Sequence, residues 1–213
     1  MRNRILSTTE YEDLCVIVSR KKWESFQYYE QYLHMCRNLL DRPLAEHGVI
    51  SVYRIDLTFP ESSVYPDPKL YYAAFIALYR KELRRMNLDP QYLIRMEQKD
   101  SLNPHFHLAV AVKGAVSATN LKEMANALWM TVLQTTKSGL VDYCRYNRKT
   151  GETYPEEYVI ACPYYCLNNT ALLPQEYHEA FRMISYLAKY QEDDIVPSNE
   201  RKIFSSLGCR ESE

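Results

Sequence analysis

The sequence predicts an α+β fold, a central largely antiparallel β-sheet with flanking helices, and three observations carry that prediction. Strand-like and helix-like segments alternate along the chain. The clearest strand segments alternate apolar and polar residues, the mark of a sheet with two unlike faces. Two of them, 91–98 and 105–113, are joined by a short turn containing Asp100, Asn103 and Pro104, as in a hairpin. With 213 residues, 46% apolar and 25% charged, the chain can bury a sizeable core and corresponds to one domain with an elaboration. Five glycines, with no GxGxxG or GxxxxGK[ST] pattern, argue against glycine-rich dinucleotide folds, Walker loops and turn-dense β-sandwiches.

The elements follow in order. Residues 14–18 form a possible short strand, and Phe26, Tyr29, Leu33, Cys36 and Leu40 recur at helical spacing over 23–40, with Pro43 ending that helix or lying just past it. In 50–59, Tyr53, Ile55, Leu57 and Phe59 share one face of a half-buried strand and Arg54, Asp56 and Thr58 the other. A Pro/Ser loop over 60–68 leads to a helix at 68–86. Its Phe75, Leu78, Tyr79, Leu83 and Met86 are expected inward, with Arg80, Lys81, Arg84 and Arg85 on a basic outer side. Strands 91–98 and 105–113, a helix at 119–136, a strand-like pair at 140–146 and 157–162 and a last helix at 174–192 complete the chain. No run approaches the roughly 18 apolar residues of a membrane span, so a cytoplasmic protein with no membrane partner is expected. The 6 cysteines lack a CxxC pair, and Cys162-x3-Cys166 needs two further ligands to hold zinc, so buried reduced thiols are the better reading.

The segment Pro104-His105-Phe106-His107-Leu108-Ala109-Val110-Ala111-Val112 carries the chemistry. On a strand His105 and His107 project from one face with Ala109 and Ala111, while Phe106, Leu108, Val110 and Val112 enter the core. The apolar faces of a hairpin must coincide, so Arg95 and Glu97 join the histidines, as do Arg54 and Asp56 if their strand enters the same sheet. Imidazole with carboxylate suits Mg²⁺, Mn²⁺ or Zn²⁺. The plainer reading is a solvated polar face with ordinary ion pairs such as Arg54 with Glu97. On the last helix, Phe181, Met183, Ile184, Leu187 and Ala188 form an apolar arc, and Tyr186 lies opposite with Arg182, Ser185, Lys189 and Tyr190. A phenol is a weak nucleophile near neutral pH, its pKa being about 10. One that attacks phosphorus needs an activated electrophile and a cationic setting, which a metal at the histidines with Lys189 and Arg182 would supply.

PHFHLAV and YLAKY, in this order, resemble the metal and tyrosine motifs of the HUH endonucleases, the superfamily of rolling-circle initiators, relaxases and single-strand transposases. RIDLTFP (54–60), the HxH strand, ISYLAKY and the late FSSLGCR (204–210) are similar to the inovirus-type replication proteins of filamentous phages and cryptic prophages. The resemblance covers residues from about 50 to 210 and leaves the first 45 unassigned, so the expected division is a helical N-terminal extension over 1–45 and an HUH-type nicking domain over 46–213. It implies that Tyr186 attacks single-stranded or locally melted origin DNA, leaving a 5′-phosphotyrosine and a 3′-OH that primes rolling-circle replication. His105 and His107 would hold Mg²⁺ or Mn²⁺, with Glu97 as third ligand and Asp56 as substitute. Lys189 would assist, and Arg54, Arg95 and Arg182 would contact DNA. Tyr190 either serves a second cleavage or packs at the arc boundary. The length leaves no room for a helicase module, so host helicase and polymerase machinery are expected partners. Competing readings are a single-tyrosine HUH transposase, a prophage DNA-binding regulator without catalysis and, disfavoured by helix content and scarce glycine, a cupin-like metal oxygenase.

The net charge of −1 excludes a general positive field for nucleic acid. Cations gathered near the site would reconcile that sum with local DNA binding, and the 19 tyrosines offer stacking platforms for unpaired bases. The basic-aromatic stretch Arg20-Lys21-Lys22-Trp23 is either an accessory DNA contact or a solvated helix start.

Overall fold

The structure, a computed structural model, describes residues 4–17, 27–61, 63–98, 101–147, 151–190 and 203–206. Two short antiparallel ladders open it, Ile5–Ser7 with Gln27–Tyr29 and Glu10–Tyr11 with Leu14–Cys15. Then follow α1 (Glu30–His47), β1 (Val49–Leu57), α2 (Pro68–Arg85), β2 (Gln91–Glu97), β3 (His105–Lys113), α3 (Ala118–Leu133), β4 (Val141–Asp142), β5 (Tyr158–Ala161), α4 (Gln175–Ile184) and β6 (Ile203–Ser205). The central sheet runs β5-β1-β3-β2-β6, with β4 also on β1, and every pair is antiparallel. The expected pair at 140–146 and 157–162 does not pair with itself. β5 takes residues 49–52 of β1 and β4 takes 56–57, so the two share one edge.

Period-two alternation sorts the sheet as expected on one side. Tyr53, Ile55, Leu57, Tyr92, Ile94, Phe106, Leu108 and Val110 are buried with Phe75 and Tyr79 of α2 and Trp129 of α3. Trp129 Nε1 donates to the Thr58 carbonyl at 2.7 Å, which fixes the end of β1. Helix α2 is turned from its expected phase. Tyr72, Phe75, Ile76, Tyr79 and Leu83 face inward, while Leu78 and Met86 are exposed. The i, i+3, i+4, i+7 stripe that includes Tyr72 and Ile76 buries more apolar surface than the one that includes Leu78.

The opposite face is not the solvated polar surface of the plainer reading. Ile50, Val52, Leu93, Ala109, Ala111 and Ile160 are enclosed by Leu33, Cys36 and Leu40 of α1 and by Phe181 and Ile184 of α4. The two alanines of β3 leave space for α1 to lie close. Helix α1 continues through Pro43 to a left-handed cap at Gly48 (φ 72°). A proline inside a helix costs about 3 kcal/mol, and the burial of Leu39, Leu40 and Leu44 around it offsets that cost. Residues expected as a helical extension thus include two strand ladders, and Leu14, Val16, Ile17 and Tyr28 share one core with the sheet. The Arg20–Trp23 stretch and the start of the expected 23–40 helix lie outside the described residues.

Helix α4 ends at Ile184 and passes into a 3-10 turn at Ser185–Ala188, so the helix expected over 174–192 is shorter, and residues beyond Tyr190 up to 202 are outside those described. Cys36, Cys144, Cys162 and Cys166 are free and buried and Cys15 is free and exposed, while Cys209 lies outside the described residues. Among the described residues no helix is long and apolar enough to cross a membrane.

Candidate metal centre and buried tyrosine

The register of the sheet gathers the polar residues at one end. His107 pairs across β3 with Asp56 on β1 and Arg95 on β2, and His105 pairs with Glu97. Cross-strand partners point to the same side, so the parity that puts Phe106 and Leu108 in one core puts these five polar residues together on the other face. His107 Nδ1 lies 2.8 Å from Asp56 Oδ1, and Nε2 lies 3.1 Å from Glu97 Oε2. Arg54 clamps Asp56, its Nη2 donating to Oδ2 at 2.8 Å and its Nε to Oδ1 at 3.1 Å. Arg54, Arg95, Glu97 and His107 are buried, whereas His105 keeps 29% of its side chain exposed.

Glu97, His105 and His107 offer one ligand atom each within 4.8 Å of one another. Two imidazoles and a carboxylate form a donor set that suits a first-row divalent ion. Asp56, the alternative third ligand, sits on the far nitrogen of His107. An acceptor there fixes the tautomer and leaves Nε2 to face the Glu97 and His105 side, the arrangement that commonly supports a metal-binding histidine. Asp56→Asn is therefore expected to weaken Mn²⁺ binding by about 10- to 100-fold while leaving Glu97, His105 and His107 in place. Calorimetric titration of both proteins checks this, and equal affinities would remove Asp56 from the support of the site. A second group, Glu46, His47 and Asp89, also meets the ligand-distance condition, at the opposite end of β1.

Tyr186 closes the site from above. It is 9% exposed, and its ring meets that of His107 edge to face with centroids 5.1 Å apart. Arg54 Cζ lies 4.2 Å from the centroid of the Tyr186 ring and Lys189 Nζ 5.8 Å. The polar arc expected around Tyr186 meets the polar end of the sheet, so Ser185, Tyr186 and Lys189 are buried instead of facing solvent. The N-terminal segment holds this turn in place. The Ile17 N–H donates to Ser185 Oγ at 3.0 Å, Lys189 bridges to Tyr28, and the Tyr190 N–H donates to the Gln27 carbonyl at 2.6 Å.

Burial raises Tyr186 to about 12, with Glu97 and Asp56 adding to the rise and Arg54 and Arg95 opposing it. Burial also works against charge on the ionisable groups beneath. Asp56 and Glu97 more than reverse it for His107, whose pKa stands above its ordinary 6.5. Arg54 and His107 hold Asp56 well below the usual carboxylate range, and His107, Arg95 and His105 do the same for Glu97. A group with a raised folded pKa contributes its stability below its unfolded value and loses it as pH rises through the folded one; depressed carboxylates do the reverse. In chelator-treated protein the cluster therefore stabilises fully between the unfolded values of 4.5 for Glu97 and 6.5 for His107. Tm is expected to fall as pH rises from about 6 to about 9, and the fall should be much smaller in His107→Gln. Parallel melts of the two proteins across that range test it, and identical slopes would assign the decline elsewhere.

The remaining predicted residues fall in different places. Arg54 and Arg95, expected to contact DNA, point inward, Arg54 onto Asp56 and Arg95 Nη1 onto the carbonyls of Leu187 and Lys189. Both guanidinium groups are thus engaged within the chain. Arg182 is partly exposed on α4. The Tyr190 ring packs edge-on against Tyr29 at 5.4 Å. Cys144, expected only as a buried reduced thiol, stands beside Arg54 and Asp56, its thiol pushed well up by burial and by Asp56, and its N–H donates to Asp142 Oδ1 at 2.8 Å. It lies two residues past β4, a strand of two residues that carries no periodicity to read. Beside His105 an open groove of about 720 Å³ is lined by Thr58, Phe59, Leu102, Lys137 and Gly139 among others.

Fold and site together define an α+β protein in which an antiparallel sheet, covered on both faces, presents a Glu/His/His cluster to a buried tyrosine. Residues 11–206 match the model of the YagK/YfjJ C-terminal domain, and the chain belongs to that family, which is associated with cryptic prophages. No curated protein and no solved structure matches it.

Proposed function

We propose that this chain is a metal-dependent enzyme that nicks and rejoins single-stranded DNA with Tyr186 as nucleophile, and that it initiates rolling-circle replication of a phage, plasmid or prophage element. The observation that carries the reading is the contact of the Tyr186 ring with His107, at 5.1 Å between centroids, over a Glu97/His105/His107 group with metal-ligand spacing. A divalent ion held there, Mn²⁺ or Mg²⁺, supplies Lewis-acid polarisation of a phosphate oxygen. Tyr186 Oη attacks phosphorus, the bond to the 3′ oxygen breaks, and that oxygen takes up the proton the phenol gives up, which leaves a 3′-OH and a 5′-phosphotyrosine. Arg54 over the ring and Lys189 beside it favour negative charge on the phenol oxygen as the proton leaves. His105, the partly exposed member of the cluster, faces the groove lined by Lys137, through which an unpaired strand would approach. Host helicase and polymerase machinery would extend the 3′ end.

Labelled single-stranded oligonucleotides, including the element's own origin, are incubated with the protein and Mn²⁺ and resolved on a denaturing gel. The reading predicts a chelator-sensitive product and a protein-bound 5′ fragment. A second reading, a DNA-binding prophage regulator without catalysis, is favoured by the burial of Tyr186 and by the engagement of both His107 nitrogens with carboxylates. It predicts retardation on a native gel and no covalent product.

A further inference from the structure

We infer that Arg95 is a positioning residue, whose guanidinium holds the backbone just past Tyr186 and so fixes that ring against His107. Arg95 is the β2 neighbour of His107 in the sheet, and it is 1% exposed. Its Nη1 donates to the Leu187 carbonyl at 3.2 Å and also to the Lys189 carbonyl. These acceptors arise because α4 gives way to a 3-10 turn at Ser185 and an extended residue at Lys189 (φ −58°, ψ 130°), which leaves carbonyls without intrahelical donors. The carbonyl end of a helix also favours a cation. One residue therefore touches both halves of the site, the histidine strand by register and the tyrosine turn by hydrogen bonds.

The chemistry of the side chain argues against a role in packing alone. Arg95 Nε is buried with no acceptor among the described residues, and burying a guanidinium among carbonyls costs free energy that an apolar side chain would avoid. Leu93, two residues earlier on the same face, fills its part of the core without that cost. Among the described residues this turn is also tethered to the N-terminal segment, through Ile17, Gln27 and Tyr28, and Arg95 holds it from the sheet. Its catalytic meaning rests on the nicking reading; its effect on the turn does not.

The test combines hydrogen exchange, Mn²⁺ titration and the adduct assay on full-length wild type, Arg95→Met and Arg95→Lys. In Arg95→Met, amides of 185–190 should exchange about tenfold faster or more while those of β3 stay within about twofold. Arg95→Lys should recover part of the protection, since an ammonium still donates to carbonyls. Adduct yield should fall about tenfold or more in Arg95→Met with Mn²⁺ affinity within about threefold of wild type. Unchanged exchange at 185–190, or an equal loss of protection across the whole sheet, overturns the inference. If Arg95→Met does not fold, Arg95→Lys decides by the same contrast between 185–190 and β3. Absence of any adduct with wild type would sink the nicking reading, and the exchange pattern would still decide for or against Arg95.

Discussion

Tyr186→Phe is expected to abolish covalent capture of single-stranded DNA while leaving fold and divalent-ion affinity intact. The substitution removes one oxygen and keeps the ring that Arg54 covers and His107 meets edge-on. Loss of the one hydroxyl, with the ring contacts kept, should change stability by about 1 kcal/mol. Removing a nucleophile, by contrast, lowers turnover by about three orders of magnitude or more. Denaturant unfolding, Mn²⁺ titration and adduct yield on one preparation separate these effects. Undiminished adduct in Tyr186→Phe would mean that another tyrosine reacts, with Tyr190 the first to examine despite its packing on Tyr29.

His107→Ala should produce the largest loss of stability in the site. His107 joins Asp56 through one nitrogen and Glu97 through the other, and it is 4% exposed. Its removal leaves a cavity and a buried Glu97 without its hydrogen-bonding partner, a change that commonly costs about 3–5 kcal/mol. Asp56 keeps Arg54 and should remain ionised. His105→Ala provides the contrast. Its side chain is 29% exposed and lies 3.9 Å from Glu97 Oε1, so the stability loss should be about 1 kcal/mol or less. Both variants lose a ligand and both should lose Mn²⁺ affinity. Urea unfolding of the chelator-treated proteins distinguishes them, and equal losses would show that the buried network does not depend on His107.

The parts of this account legible in the sequence were those governed by strand parity. A one-residue slip would send every side chain of β3 to the wrong side, so the burial of Phe106 and Leu108 in one core fixed the side on which His105 and His107 project. The hairpin then brought Glu97 beside them. What covers that face was not legible, because it depends on α1 crossing Ala109 and Ala111, a contact between segments more than sixty residues apart. Pro43 pointed to a helix end, and tertiary burial overrode it. Composition also could not say whether Arg54 and Arg95 meet water or internal acceptors, since the same side chain serves a phosphate backbone and a buried carbonyl. The idea of a basic cleft therefore retreats from the site itself, whose arginines are occupied. Exposed cations are found instead on α2, at Lys81, Arg84 and Arg85.

The central claim is that Tyr186 is the residue that bonds to DNA. The most direct measurement is mass spectrometric mapping of peptides from wild-type protein incubated with Mn²⁺ and a single-stranded origin oligonucleotide, after nuclease trimming of the bound strand. The account predicts a nucleotide-sized mass addition on the peptide that contains Tyr186, localised to that residue and absent when a chelator is present. A modification on a different residue, or none on any tyrosine when the origin strand is supplied, would contradict it.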